Sequence, residues 1–120
     1  THPDINCPTE RGFMPDIGAI LAAVTASTNR SPDIIIGKPN RMIAEAAAKK
    51  LDLPLQSLAM VGDRLYTDIA IGHEAGITSI LVLSGETHAE DLPGSPHQPD
   101  YTFAHLGELA QHLVDLYHAG

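Results

Sequence analysis

The sequence predicts an α/β fold in which a doubly wound parallel sheet carries helices on its flanks. Short apolar runs alternate with segments whose apolar residues recur at helical spacing, and this alternation is typical of parallel sheets with right-handed crossovers. Three apolar runs end in polar, glycine-containing sequences: Gly37-Lys38, Gly62-Asp63 and Ser84-Gly85. Because parallel strands end at one edge of their sheet, we expect these three sequences to meet there.

The first half of the chain contains an irregular segment, two helices and one strand. Prolines and a glycine scattered over residues 1–15 predict a loop or linker. Asp16 is expected to cap a helix that extends to residue 28. Ile34–Ile36 is a predicted apolar strand. Pro39 suits the first turn of a helix that ends near Leu51.

The second half predicts three strands and two helices. The apolar run Leu58–Val61 is bounded by Gly62 and predicts a buried strand. A helix over residues 67–75 is expected to end at Gly76, which suits the position after a helix. The remaining predictions are a strand over 77–83, a loop over 88–100, a strand over 101–103 and an amphipathic helix over 106–117.

Composition limits the classes of function that the chain can have. Its 120 residues suggest one small domain or part of one, and 43% hydrophobic residues suffice for a core. A net charge of −8 argues against nucleic-acid binding and means that a phosphate ester would need a local cation. No run approaches the ~18 apolar residues that span a bilayer. Cys7 is the single cysteine, which fits a reducing cytoplasm.

Two carboxylates follow the predicted Leu58–Val61 strand, at Asp63 and Asp68. An unpaired buried carboxylate is costly, and carboxylate oxygens are ligands that Mg²⁺ prefers. Lys38 at the same predicted edge could neutralise phosphoryl oxygens, or it could keep a nearby carboxylate ionised as a nucleophile. Asp63 and Asp68 are therefore candidate metal ligands, and Lys38 is a candidate catalytic residue.

Each of these residues also has an ordinary structural explanation. Lys38 could be a solvated lysine, Asp63 a loop residue or helix cap, and Asp68 an acid favoured by a helix N-terminus. Together, two carboxylates and a cation at one sheet edge favour a ligand site. Lys38, Asn40 and Arg64 are candidates for binding the substrate phosphate, although Arg64 could instead pair with a neighbouring acid. The seven histidines show no ligand spacing.

Two motifs resemble those of a known family. Ile36-Gly37-Lys38-Pro39, paired with Val61-Gly62-Asp63-Arg64-Leu65-Tyr66-Thr67-Asp68-Ile69, resembles haloacid-dehalogenase-type (HAD) phosphatases of the NagD-like or p-nitrophenylphosphatase-like branch. Gly76-Ile77 and Leu81–Thr87 continue the similarity, which covers nearly the whole chain.

The resemblance implies a division of the chain. Thr1-His2-Pro3-Asp4 resembles the segment in which an inserted cap domain returns to the core. Residues 1–15 are then the end of the cap domain or its linker. Residues 16–120 are the C-terminal half of a HAD-like (Rossmannoid) doubly wound parallel sheet with flanking helices.

The resemblance further implies a chemistry. It is the Mg²⁺-dependent hydrolysis of small phosphate monoesters through an aspartyl-phosphate intermediate. By the resemblance, Lys38 orients the nucleophile and the phosphoryl group, Asp63 is a metal ligand, and Asp68 is a ligand or supports one.

The sequence also departs from the family. The nucleophile motif Asp-x-Asp-Gly-Thr/Val is not in the chain, since Asp4 lies in His-Pro-Asp-Ile-Asn. We therefore expect negligible activity from this chain alone. The family's sheet order implies that the missing nucleophile strand is central and that a second missing strand lies beside Ile34–Ile36. The absence of both would separate Ile34–Ile36 from Met60–Val61 and expose open edges. The expected partners are the missing N-terminal half or a second copy of the chain; direct pairing of the two strands is the third possibility.

A second class of function remains open, namely a non-catalytic phosphoester-binding or regulatory α/β module. A phosphoacceptor receiver domain also groups carboxylates and a lysine at strand ends. In a receiver domain, however, the acidic pair should follow the first strand and the lysine should come late. Here Lys38 precedes Asp63, so the order of residues argues against that fold.

Overall fold

The computed structural model describes residues 2–120, so Thr1 of the predicted cap-return segment lies outside the described residues. The fold contains a two-stranded hairpin and a parallel sheet of three strands with flanking helices, which confirms the predicted α/β class. The strands are β1 (Asn6–Thr9), β2 (Gly12–Pro15), β3 (Ala59–Gly62), β4 (Thr78–Val82) and β5 (Tyr101–Phe103). The helices are α1 (Ile17–Thr28), α2 (Met42–Leu51), α3 (Ala70–Ala75) and α4 (Leu106–Ala119).

The hairpin of β1 and β2 shows that the prediction of an irregular segment was wrong for residues 6–15. The strands pair antiparallel from Asn6 with Pro15 to Thr9 with Gly12. Gly12 has φ 130°, a conformation that favours glycine, and its carbonyl oxygen accepts the Thr9 hydroxyl at 3.0 Å. Prolines are compatible with these strands because each strand of a lone hairpin has an edge that needs no N–H donor.

Helix α1 begins and ends as its sequence predicts. The Asp16 carboxylate accepts the N–H of Ile17 at 2.7 Å, and Asn29 adopts a left-handed conformation that ends the helix. Gly18 is the one buried residue of α1, because its Cα lies against the carbonyls of Pro3 and Asp4. The apolar side chains of this helix are largely exposed.

The core lies where α3 packs against the sheet. The parallel order is β3-β4-β5, with Val61 opposite Ile80 and Ile80 opposite Tyr101. A π-helical turn, Leu65–Ile69, leads into α3, and Gly76 ends the helix at φ 67° as predicted. The buried apolar residues include Ile69, Ile71, Ile77, Leu81 and Val82.

Ile34–Ile36 is not a strand, so that prediction was wrong. The segment belongs to neither sheet, and Ile34 is 63% exposed. A strand needs a hydrogen-bonded neighbour, and within residues 2–120 β3 pairs only with β4. One edge of β3 is therefore open within residues 2–120.

Within residues 2–120, none of the helices has the length and apolar character needed to cross a membrane.

Candidate functional site

Asp68 closes the loop that follows β3. Its side chain turns back along the chain, and Oδ2 accepts the backbone N–H groups of Asp63 at 3.1 Å and Arg64 at 3.2 Å. The residue is 4% exposed. Gly62 makes this position possible, since a Cβ there would lie 2.2 Å from the Cβ of Asp68.

Lys38 compensates the charge of this buried carboxylate. Its Nζ donates to Oδ1 of Asp68, which lies thirty residues further along the chain. Both oxygens of Asp68 are thus engaged, one by an ammonium and the other by two amides. The contact anchors the Gly37-Lys38 turn to the end of β3, although the segment before this turn is not a strand.

Asp63 differs from Asp68 because one of its oxygens is free. Oδ2 accepts the backbone N–H of Glu86 at 2.8 Å, and the carbonyl oxygen accepts the N–H of Thr87 at 3.1 Å. Among residues 2–120, Oδ1 accepts no hydrogen bond. Gly85 lies directly against this carboxylate, since a Cβ there would be 2.1 Å from Oδ2. Asp63 therefore has one oriented oxygen available for a ligand.

Arg64 lies between two carboxylates. Its Nη1 contacts Oδ2 of Asp4 at 2.9 Å, and its Nε contacts Oε2 of Glu86 at 2.6 Å. Burial opposes the guanidinium charge, but Glu86, Tyr66, Asp4 and Asp63 outweigh it and raise the pKa of Arg64. The carboxylates of Asp4 and Glu86 offset the charge of the Arg64 guanidinium, which is therefore paired with acids of the same chain. The role of Arg64 in binding phosphate stays a prediction.

Asn40 stabilises the turn before α2. Its amide nitrogen donates to the carbonyl of Ile35 at 2.9 Å, and its side-chain oxygen accepts the N–H of Met42 at 2.9 Å. It lines a neighbouring cavity with Ile35 and Pro39, separate from the cleft that Lys38 shares with the two aspartates. Its predicted role in phosphate binding remains a prediction.

The cleft at the end of β3 has a volume of about 220 Å³. Four of the five candidate residues meet there. A larger cavity of about 450 Å³ lies at the opposite edge of the sheet, near His73 and Asp100, and lysine and paired carboxylates are not among its lining residues. The chemistry of the lining, rather than volume, identifies the smaller cleft as the candidate site. Its lining residues are His2, Asp4, Lys38, Asp63, Arg64, Thr67 and Asp68.

Sequence reasoning gave no role to four residues in or beside this cleft, namely His2, Asp4, Tyr66 and Glu86. His2 Nδ1 lies 3.3 Å from Oδ2 of Asp4, which itself binds Arg64. The Glu86 carboxylate accepts the Tyr66 hydroxyl at 2.8 Å. Partial burial, then the hydrogen bond and charge of Glu86, raise the pKa of Tyr66 to about 12. The signal for Glu86 was its place in the Ser84–Thr87 motif, but no pattern indicated its contacts.

The donor set tests whether a divalent cation fits. Among residues 2–120, no cluster of three or more metal-ligating side chains exists. Mg²⁺ usually takes one or two protein carboxylates and completes its shell with waters and substrate oxygens. The free Oδ1 of Asp63 supplies one such carboxylate oxygen. Asp68 is occupied by Lys38 and two amides, which suits a supporting role better than direct ligation.

Comparison with known proteins gives consistent matches. The family model described as HAD-hydrolase-like matches residues 35–109. The chain is similar to an acid sugar phosphatase from Staphylococcus haemolyticus, with 42% identity over 113 residues, covering 94% of this chain and 43% of that protein.

Solved structures that resemble this chain are also named as phosphatases. A 4-nitrophenylphosphatase from Thermotoga maritima matches with a TM-score of 0.85 and 55% identity, over 92% of this chain and 42% of that one. A glycerol phosphate phosphatase from Mycobacterium tuberculosis in complex with magnesium matches with a TM-score of 0.80 and 34% identity, over 90% and 33% of the two chains. The same protein also matches in complex with calcium.

The chain spans less than half the length of these relatives. The family model covers well over half of the chain, and the sequence motifs that suggested the resemblance lie mostly within it. The chain therefore belongs to the HAD-like hydrolases.

Proposed function

We propose that this chain is part of a Mg²⁺-dependent phosphatase that hydrolyses small phosphate monoesters through an aspartyl-phosphate intermediate. The observation that carries the proposal is the convergence of Lys38, Asp63 and Asp68 in one cleft at the carboxyl end of β3. Relatives named as an acid sugar phosphatase, a 4-nitrophenylphosphatase and a glycerol phosphate phosphatase support the reaction class. The substrate of this protein is a small phosphorylated metabolite under the proposal.

Lys38 supplies the positive charge for the phosphoryl group. Asp68 holds the ammonium at the cleft, and the two backbone amides that bind Asp68 fix the carboxylate in turn. A cation placed in advance stabilises the charge on transferring phosphoryl oxygens at no cost of reorganisation. Lys38 is thus a catalytic residue in the proposal, and Asp68 positions it.

Asp63 would hold the metal through its free oxygen. When bound, Mg²⁺ supplies a second positive charge against the phosphoryl oxygens and a template for their orientation. The Glu86 N–H binds the other oxygen of Asp63, so the free oxygen has a defined direction. The magnesium and calcium complexes of the glycerol phosphate phosphatase support a divalent cation in this family.

The covalent step requires a carboxylate outside the motifs of this chain. That carboxylate attacks phosphorus while the bond to the alcohol oxygen breaks, and the alcohol leaves after protonation. Water then attacks phosphorus, which releases inorganic phosphate and restores the carboxylate. The chain contributes Lys38, Asp63 and Asp68 to this site but not the attacking carboxylate, so we expect the chain to be inactive by itself.

The partner in the proposal is the N-terminal half of such a phosphatase or a second copy of the chain. An apolar cavity of about 230 Å³ beside β3 is lined by residues of α2, β3 and α3, including Ala44, Met60 and Ile71. Within residues 2–120, one edge of β3 has no strand beside it, and Ile34 and Ile36 are exposed. Both features favour association. The reducing cytoplasm remains the proposed compartment, since Cys7 is a free thiol.

A chimaera tests the proposed reaction. The 120 residues would replace the matching 42% of the Thermotoga maritima protein, and hydrolysis of p-nitrophenyl phosphate would be followed with Mg²⁺. We expect turnover by the chimaera and a fall of about 10²-fold or more for Lys38→Ala, since groups that stabilise developing charge contribute on this scale.

Two results would contradict the proposal. One is a folded chimaera in which Lys38→Ala and Asp63→Asn leave the rate unchanged. The other is turnover of p-nitrophenyl phosphate by the pure 120-residue chain, because the chain would then need no carboxylate from elsewhere. Phosphoester binding by the folded chimaera without turnover would favour the non-catalytic binding module instead. Lys49→Ala is the matched control, since Lys49 lies on the exposed side of α2.

A further inference from the structure

Glu86 joins the loop after β3 to the loop after β4 by two routes. Its backbone N–H donates to Asp63 Oδ2 at 2.8 Å, and the next N–H, of Thr87, donates to the carbonyl of Asp63 at 3.1 Å. Its carboxylate accepts the Tyr66 hydroxyl at 2.8 Å and contacts Arg64 Nε at 2.6 Å. Residue 86 therefore contacts the Asp63 carboxylate through its main chain and is anchored through its side chain.

The anchoring is geometric rather than a source of much stability. The Glu86 side chain is 38% exposed and that of Arg64 26%, and exposed ion pairs contribute little free energy. Each oxygen of Glu86 nevertheless has its own partner. Arg64 is held a second time by Asp4, whose side chain is only 13% exposed. The Glu86 side chain thus contacts Arg64 and Tyr66 directly and is linked to Asp4 through Arg64.

The loop lies directly against the Asp63 carboxylate. Gly85 has no side chain, and a Cβ there would overlap Oδ2 of Asp63 at 2.1 Å. A displacement of residues 85 and 86 would therefore remove the one side-chain hydrogen bond that Asp63 receives from residues 2–120 and change the space around it. The direction of the free Oδ1 depends on where this loop lies.

We propose that Glu86 is a positioning residue for Asp63: its carboxylate, held by Arg64 and Tyr66, fixes the loop whose amide orients the Asp63 side chain. The inference rests on the proposed role of Asp63 in holding Mg²⁺. Substitution of a residue that orients a metal ligand by hydrogen bonding typically weakens metal binding by about 10–100-fold.

The rotamer of Asp63 gives a test that needs no metal. Three-bond couplings to the Asp63 carboxyl carbon, measured by NMR on the full 120-residue chain, report the populations of χ1. We expect one rotamer in the wild type and averaged couplings in Glu86→Ala. Glu86→Gln keeps the side-chain length and should shift the populations less; it decides the matter if Glu86→Ala does not fold. The matched control is Glu90→Ala, which removes an exposed acid near the same loop and should leave Asp63 unchanged.

A purely structural role for Glu86 predicts a different pattern. It would lower the melting temperature of the variants while Asp63 kept a single rotamer. That result, in either folded Glu86 variant, overturns the inference.

Binding of Mg²⁺ alone, measured by calorimetry, separates this inference from the proposed function. We expect Glu86→Ala to weaken binding about tenfold, as the loss of an orienting residue does. If wild type and Asp63→Asn give identical isotherms, the proposed metal role of Asp63 fails and the rotamer measurement decides the role of Glu86. If Mg²⁺ binds through Asp63 and folded Glu86→Ala binds it equally well, the positioning role is overturned.

Discussion

Strand β4 and the segment Ile34–Ile36 have similar apolar character but opposite environments. Leu81 of β4 is completely buried, whereas Ile34 is 63% exposed and Ile36 52%. The difference lies in their neighbours. Strand β4 pairs with a strand on each side and packs under α3, while Ile34–Ile36 pairs with no strand among residues 2–120. Apolar sequence favours burial, but a strand forms only where another strand supplies its hydrogen bonds.

The largest expected effect is in the packed region. Leu81→Ala should lower the free energy of unfolding by about 2–5 kcal/mol, because it removes a fully buried side chain and leaves a cavity. Urea denaturation followed by circular dichroism measures the change. If Leu81→Ala lowered the free energy of unfolding by less than the substitution of an exposed apolar residue, the core around β4 would not be well packed.

Gly62→Ala should have the next largest effect. The new Cβ would lie 2.2 Å from the Cβ of Asp68, whose side chain is fixed by Lys38 and two amides and has nowhere to move. Overpacking of this kind costs about 1–3 kcal/mol, so a lower thermal midpoint is expected. Gly120→Ala is the control, since its Cβ would meet nothing closer than 3.9 Å. Equal midpoints for the two variants would contradict the close packing of Asp68.

Asp100 should make the packed region sensitive to acid. The backbone N–H and the hydroxyl of Ser79 donate to its carboxylate at 2.7 Å and 2.9 Å. These bonds, and more weakly the charge of His73, lower the pKa of Asp100, although slight desolvation acts in the opposite direction. A pKa lowered by folding contributes stability above the unfolded-state pKa, and that contribution is lost as pH falls through the folded-state pKa.

Thermal midpoints between neutral and strongly acidic pH measure this contribution. The wild type should lose more stability towards acid than Asp100→Asn, and the two curves should converge at low pH. Parallel curves would show that the Ser79 contacts do not favour the ionised form. Asp115→Asn, on the exposed helix α4, controls for the loss of one carboxylate.

The smallest effect is expected outside the packed region. Ile34→Ala should change the free energy of unfolding of the isolated chain by no more than about 0.5 kcal/mol, as for other surface substitutions. Native mass spectrometry on the same samples reports the oligomeric state. A cost comparable to that of Leu81→Ala, in a sample that is dimeric, would show that a second copy covers this segment.

Sequence patterns predicted the local features that depend on nearby residues. The Asp16 cap, the end of α3 at Gly76 and the strands around Val61 and Leu81 all follow from side chains within a few positions. The hairpin at Asn6–Pro15 was missed because its prolines read as loop residues, although they occupy edge positions that tolerate them.

The candidate site was predicted in part. Lys38 meets Asp68 as predicted, but the segment before Lys38 is not a strand. The argument from parallel strand ends therefore applies only to the residues that follow β3 and β4. The pairing of Arg64 with Asp4 joins residues sixty positions apart, and no periodic pattern encodes such a contact. Asn40, beside Lys38 in sequence, instead binds its own turn.

The sequence by itself determined the α/β class, the main helices and strands of the sheet region, and the group of Lys38, Asp63 and Asp68 at one edge. The elements depend on hydrophobic periodicity and capping residues, which are local properties. The grouping of the three residues was predicted from the order of the elements along the chain. Only the tertiary structure decided that Asp68 is occupied by Lys38 while Asp63 keeps a free oxygen. The tertiary structure also decided that Ile34–Ile36 has no strand beside it among residues 2–120. Hydrogen-bond occupancy and strand pairing depend on which distant groups arrive, and that is settled when the chain packs.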